Sequence, residues 1–245
     1  MADIRHLNNA PIVEALIDFR VVLPQGFDPQ HFVNLKNELG SQYPKSEPRK
    51  LLVGSFGISS GKFEQKAEDK GIQGYVFKSE DEKDIAQFRI DGFTFSRLNP
   101  YSDWKTVLSE ASRLWELYRS FTSPIIVNRL AARYINRFDF KVPIDDYGIY
   151  LSAPPVIPEP LPHKMSSFLT RLVLHDDGLT ANVIQAMTNS PKEGFIGVVL
   201  DIDVFEVQEA GFAEDSMSKI FEKIRLLKNR IFFGSITEKT IRMYE

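Results

Sequence analysis

Arg129, Arg133 and Arg137 recur at intervals of four within the stretch Ile125 to Phe140. Side chains of an extended strand alternate between faces, so this spacing sends all three guanidinium groups to one side, about 13 Å apart along the chain. Guanidinium binds phosphate through paired hydrogen bonds, which suits such a row to a small polyanionic ligand. Asp201 and Asp203 share a face of the stretch 195–206 with Gly197, Val199 and Phe205. Carboxylates so placed are ligands for Mg²⁺ or Mn²⁺. Row and pair together describe a metal-dependent enzyme acting on a phosphorylated or polyanionic substrate. Glu14, Asp18 and Arg20 form a third charged row, and Arg171 adds a further cation. The plainer reading is that charges of both signs on neighbouring strands neutralise one another, at roughly 0.2–1 kcal/mol per pair. An enzyme site needs the arginine row and the aspartate pair to face one pocket. An interaction module needs an exposed apolar patch or an unpaired strand edge.

Other chemistries find little footing. Gly57-Ile58-Ser59-Ser60-Gly61 has the form of a nucleophile elbow, but an elbow belongs to a parallel sheet of strand–helix repeats, and this chain reads as a succession of hairpins. A flexible turn accounts for it. Gly61-Lys62 fails as a phosphate loop, because Gly57 stands too close and Phe63 occupies the place of Ser or Thr. No dinucleotide glycine motif is present, and His6, His31, His163 and His175 never take metal-ligand spacing. His175 beside Asp176 and Asp177 reads as a solvated hairpin tip. The charged strand faces superficially look like those of the triphosphate tunnel enzymes. That family's first strand needs two carboxylates two residues apart, whereas Glu14 and Asp18 are four apart.

Positioning these residues falls to an antiparallel framework. Ile12 to Val22 alternates as a strand, and Asp28-Pro29 opens a helix over 29–39 ending at Gly40. Strands follow at 51–58, 72–78, 85–90 and 93–98, with Asp91-Gly92 read as a two-residue hairpin loop. Trp104, Val107, Leu108, Ala111, Leu114, Trp115, Tyr118 and Phe121 form one apolar helical stripe, capped by Ser102 or Asp103 and stopped before Pro124. The strand Ile125 to Phe140 closes the first half. A proline-rich connector over 153–162 separates it from strands at 167–174, 179–187 and 195–206. A helix over 215–233 follows, with Met217, Ile220, Phe221, Ile224, Leu227 and Ile231 on its core face and Gly234 as C-cap, then a short helix over 237–244. The expected fold is α+β, with curved antiparallel sheets and amphipathic helices on one face, arranged as two ferredoxin-like units. The expected divisions are 1–142, a connector over 143–166, and 167–245 packed on the first as one or two domains.

Composition narrows the function classes further. The 245 residues are 43% hydrophobic and 26% charged with a formal net charge of −3, which describes a folded globular chain. With no cysteine there is no disulfide, thiolate metal site or cysteine nucleophile. The first half holds 16 basic and 17 acidic residues and the second 14 and 16, so no block advertises nucleic acid. The 19 phenylalanines fall largely on apolar faces, as core rather than as a base-stacking platform. Asp3 and Glu14 disfavour a signal peptide and no apolar run approaches 20 residues, so the expectation is a cytoplasmic protein without membrane contact.

Three segments carry a family resemblance. The opening Asn9 to Arg20, with Ala10-Pro11-Ile12-Val13-Glu14 running into a strand, the stretch VNRLAARYINRF from Val127 to Phe138, and the closing Ile231-Phe232-Phe233-Gly234-Ser235-Ile236-Thr237-Glu238 resemble a sporadically distributed family of prokaryotic hypothetical proteins of about this length. That family has no established activity, substrate or cofactor, so the resemblance directs attention only to Glu14, Arg133, Tyr134 and Asn136. The expected function is a binding or interaction module. The metal-dependent enzyme and a structural subunit of a protein complex stand as alternatives.

Overall fold

Alternation of apolar and polar side chains gives the sheet two unlike faces, and both long helices pack on one of them. The structure is a computed structural model that describes residues 7–59 and 62–245, and for 52–68 the backbone alone. The first half comprises β1 (Ile12–Val22), a 3₁₀ turn (Pro29–Asn34) running into α1 (Leu35–Leu39), β2 (Lys45–Ser59), β3 (Lys62–Lys78), β4 (Asp84–Arg89), β5 (Gly92–Leu98) and α2 (Trp104–Thr122). The second comprises β6 (Ile126–Lys141), β7 (Leu169–Asp176), β8 (Leu179–Asn189), β9 (Phe195–Val207), α3 (Glu214–Ser235) and α4 (Glu238–Ile241). Among the described residues, no helix is long and apolar enough to cross a membrane.

The nine strands form one antiparallel sheet in the order β2-β3-β4-β5-β1-β6-β9-β8-β7. Each half places its first strand at the centre, returns inward from the outer edge as a meander, and ends in a long helix. The sequence expectation of α+β architecture with helices on one face describes this sheet. Each half has one long helix, placed after its last strand, where the β-α-β-β-α-β order of a ferredoxin-like unit has two.

Phe19 of β1 ties both helices to the sheet. Its ring stacks on Trp115 of α2 at 4.3 Å and meets Phe221 of α3 edge-on at 5.2 Å. Asp103 caps α2 by accepting from the Thr106 amide at 2.9 Å. At the other end of the helix pair, Arg119 of α2 binds Glu214 of α3 through two bonds of 2.6 and 2.7 Å. The long helices thus run antiparallel, with the start of α2 beside the later turns of α3.

Several boundaries differ from the sequence reading for identifiable reasons. β2 and β3 extend far beyond 51–58 and 72–78, but only Gly74 to Lys78 of β3 pairs with β4. The rest of the hairpin is formed by β2 and β3 pairing with each other. The β4–β5 loop is Ile90-Asp91, with Gly92 paired to Arg89 and already in β5. Gly92 has φ of 149°, and a Cβ there would collide with the Phe19 carbonyl, so the glycine serves strand approach as well as turning. Gly234 does not cap α3. The helix continues to Ser235, whose carbonyl accepts from the Ser152 amide, and Ile236 bridges to Leu151. Phe19→Ala should cost about 3–5 kcal/mol of unfolding free energy by urea denaturation, because it removes the ring shared by both helices.

Candidate functional site

The sheet face turned away from the helices gathers the charged rows. Asp18 is 7% exposed and takes four donors. Its Oδ2 accepts from Arg129 at 2.9 Å and Arg20 at 3.1 Å, and its Oδ1 from Thr94 at 2.6 Å and Arg89 at 3.1 Å. Burial would raise this carboxyl, but Arg20, the Thr94 hydroxyl, Arg89 and Arg129 together outweigh burial and hold it below the ordinary carboxylate value. Arg129 continues to Asp203 at 3.1 Å and lies 4.4 Å from the centre of the Phe205 ring. Arg133 grips Asp201 through two bonds of 2.8 and 2.5 Å. Arg137 turns to Asp139 at 3.3 Å and the Asn189 carbonyl at 2.6 Å. Glu14 makes no ion pair with Arg133 and acts on it only through its field.

Arginine row and aspartate pair therefore share a face, but each guanidinium already has an anionic or carbonyl partner. Asp201 gives both oxygens to Arg133, and Asp203 gives both to Arg129. Among the described residues, no group of three or more His, Cys, Asp or Glu is placed to hold a metal ion. The Gly57 to Gly61 segment falls at the margin of the description, with Ser60 and Gly61 outside it.

Tyr134 and Asn136 point the other way. They follow Arg133 in the chain, but alternation sends them to the helix face, where both line a cavity of about 400 Å³ between the start of α2 and the later turns of α3. Tyr101, Trp104, Arg225 and Lys228 complete its chemically distinctive lining. Lys228 is only 9% exposed, and its Nζ lies 3.9 Å from the centre of the Tyr134 ring. The Tyr101 and Tyr134 hydroxyls approach to 3.3 Å, and Trp104 lies near-parallel to Tyr134 at 6.4 Å. No carboxylate pairs with Lys228 among the described residues. The acid in the cavity wall, Asp103, is engaged with the Thr106 amide and hydroxyl at 2.9 and 2.8 Å. Burial, aided by the neighbouring Arg225 charge, pushes the Lys228 amine down to about 7. Asn136 spends its amide nitrogen on the Leu200 carbonyl at 3.0 Å, fixing the cavity floor to β9. A wider cleft at the opposite end of the helices contains Arg119, but that cation is already bound to Glu214.

Sequence reasoning missed Lys228. The signal was its position four residues after Ile224, within the apolar stripe of α3. A lysine there must be carried to the sheet with its neighbours. No protein-family model matches this chain, and no curated protein matches it.

The two faces predict stability that rises with pH in two different windows. An unfolded lysine titrates near 10.4 while Lys228 titrates at about 7, so between these values the unfolded chain holds the extra proton. Stability therefore rises with pH across that window, by about 1.4 kcal/mol for each unit of depression. Lys228→Met should be the more stable protein at pH 6 and should lose this rise when melting curves are compared from pH 6 to 10. Asp18 has the same sign in an acid window, since its folded value is also lowered. Its stabilisation is present above the unfolded value near 3.9 and is lost as pH falls through its lowered folded value. Asp18→Asn should cost about 3–5 kcal/mol at pH 7 in denaturant titrations, with a blunted acid transition, because it removes the buried charge that Arg20, Arg89 and Arg129 share.

Proposed function

We propose that this protein is a binding module for a small organic anion with an aromatic or apolar body, seated in the cavity between α2 and α3. The observation that carries this reading is the amine of Lys228, set against Tyr134 with no counter-ion among the described residues. Lys105 and Arg225 also line the cavity, Asp103 is turned to capping, and the start of α2 adds the positive end of its dipole. A carboxylate or phosphate supplies the missing charge, and Tyr101, Trp104 and Tyr134 offer ring surfaces to the ligand body. The volume lies in the range of small-molecule sites. The polyanion-processing alternative draws less support, because Arg129, Arg133 and Arg137 already have partners.

Thermal unfolding against a panel of aromatic carboxylates and phosphates tests this. A ligand at 100 times its dissociation constant stabilises the fold by about 2.7 kcal/mol. The shift should vanish in Lys228→Met and persist in Arg133→Ala. The reverse pattern would move the site to the charged face.

A second reading concerns β7, which ends the sheet and exposes Leu169, Leu172, Val173 and Leu174. Antiparallel pairing of two copies about Val173 would set Leu172 against Leu174 twice on the helix side, beside exposed Leu226 of α3. The partner in this reading is a second copy of the chain. Light scattering should give twice the monomer mass for the native protein and the monomer mass for Leu172→Lys.

A further inference from the structure

We propose that Lys228 is a covalent attachment point, whose Nζ forms an imine with an aldehyde or ketone carried by the ligand of this cavity. This rests on the cavity reading above and adds the chemical class of its ligand. An exposed lysine or arginine would suffice to attract an anion. Here the amine is 9% exposed, held 3.9 Å over Tyr134, beside the Arg225 cation and, among the described residues, with no carboxylate paired to keep it an ammonium. A desolvated lysine next to a second cation is the arrangement that frees an amine for attack on a carbonyl. The low proton affinity of Lys228 agrees, since at pH 7 about half of the amine is neutral. The groups facing it are Tyr134 from β6, Tyr101 and Asp103 ahead of α2, Lys105 on α2 and Arg225 on its own helix.

The step balances without an oxidant or reductant. The Nζ lone pair attacks the carbonyl carbon, the C=O π electrons move to oxygen, and proton transfer gives a neutral carbinolamine. The C–O bond then breaks, the nitrogen lone pair forms C=N, and the oxygen departs as water with the two protons that nitrogen gave up. The Tyr101–Tyr134 hydroxyl pair, 3.3 Å apart, is the proton relay at the departing oxygen.

The probe is 4-carboxybenzaldehyde, an aromatic aldehyde bearing an anion, incubated with the full chain at pH 7 and trapped with cyanoborohydride. Peptide mapping of the wild-type protein decides the matter without relying on a variant. The expected result is labelling of Lys228 at least about tenfold faster than any exposed lysine, reflecting its larger neutral fraction. Excess 4-methylbenzoate, which cannot form an imine, should slow it, and Lys228→Met should abolish the specific adduct. If labels scatter over exposed lysines while 4-methylbenzoate still stabilises the wild type and not Lys228→Met, the imine is overturned and the cavity reading stands. If neither compound engages the cavity, both are overturned.

Discussion

The hydrogen-bonded pairing of β1 with β6 at the centre of the sheet sets everything else. Its register places Asp18 opposite Ala131, Leu16 opposite Arg133 and Ile17 opposite Ala132. Alternation then sends Phe19, Tyr134 and Asn136 toward the helices, and Asp18, Arg129 and Arg133 away from them. A slip by one residue would exchange these sets. It would drive two arginines under α3 and lift Phe19 off Trp115, so the aromatic junction and the charged rows enforce the same register from opposite sides.

The two faces then handle charge in opposite ways. On the charged face each buried ion is matched. Asp18 has three guanidiniums and a hydroxyl, and Arg89, only 3% exposed, spends its donors on Asp18, Asp91 and Thr94. Such a network costs desolvation and returns it through geometry, so its loss is felt most when one partner is removed. Across the sheet, Lys228 has, among the described residues, a ring face and a cavity. Cation–π attraction is worth about 2 kcal/mol when desolvated, which is smaller than the burial cost of an ammonium. The fold therefore tolerates Lys228 largely by letting it shed its proton.

Much of this was legible because it obeys period two or period 3.6. The bounds of β1, the stripe of α2 and the common face of Arg129, Arg133 and Arg137 follow from spacing alone. Which strands are neighbours does not, since pairing of Arg133 with Asp201 depends on contacts 68 residues apart. Arg133-Tyr134-Ile135-Asn136 shows the limit well. The family resemblance drew attention to Arg133, Tyr134 and Asn136 together, but the strand splits them between a surface ion pair and a cavity wall. Lys228 was hidden for a different reason. A helical stripe is recognised by its apolar members, and a lone lysine inside one reads as an interruption until the packing shows that no described carboxylate answers its charge.

The antiparallel helix pair explains why the cavity lies where it does. Arg119 and Glu214 tie the end of α2 to the start of α3, each in the turn where its charge suits the helix dipole. No ion pair links the other end among the described residues, and there the bulky Trp104, Tyr101 and Phe232 hold the elements apart. Two helices pinned at one end and propped by rings at the other leave a space against the sheet that their own side chains do not fill. Lys228 is placed about four turns down α3 from the pinned end, deep enough to reach β6 and far enough along to meet that space. Placed one turn earlier, it would stand at Ile224 in the closed core. The position that unbalances its charge is therefore the one where a ligand has room to answer it.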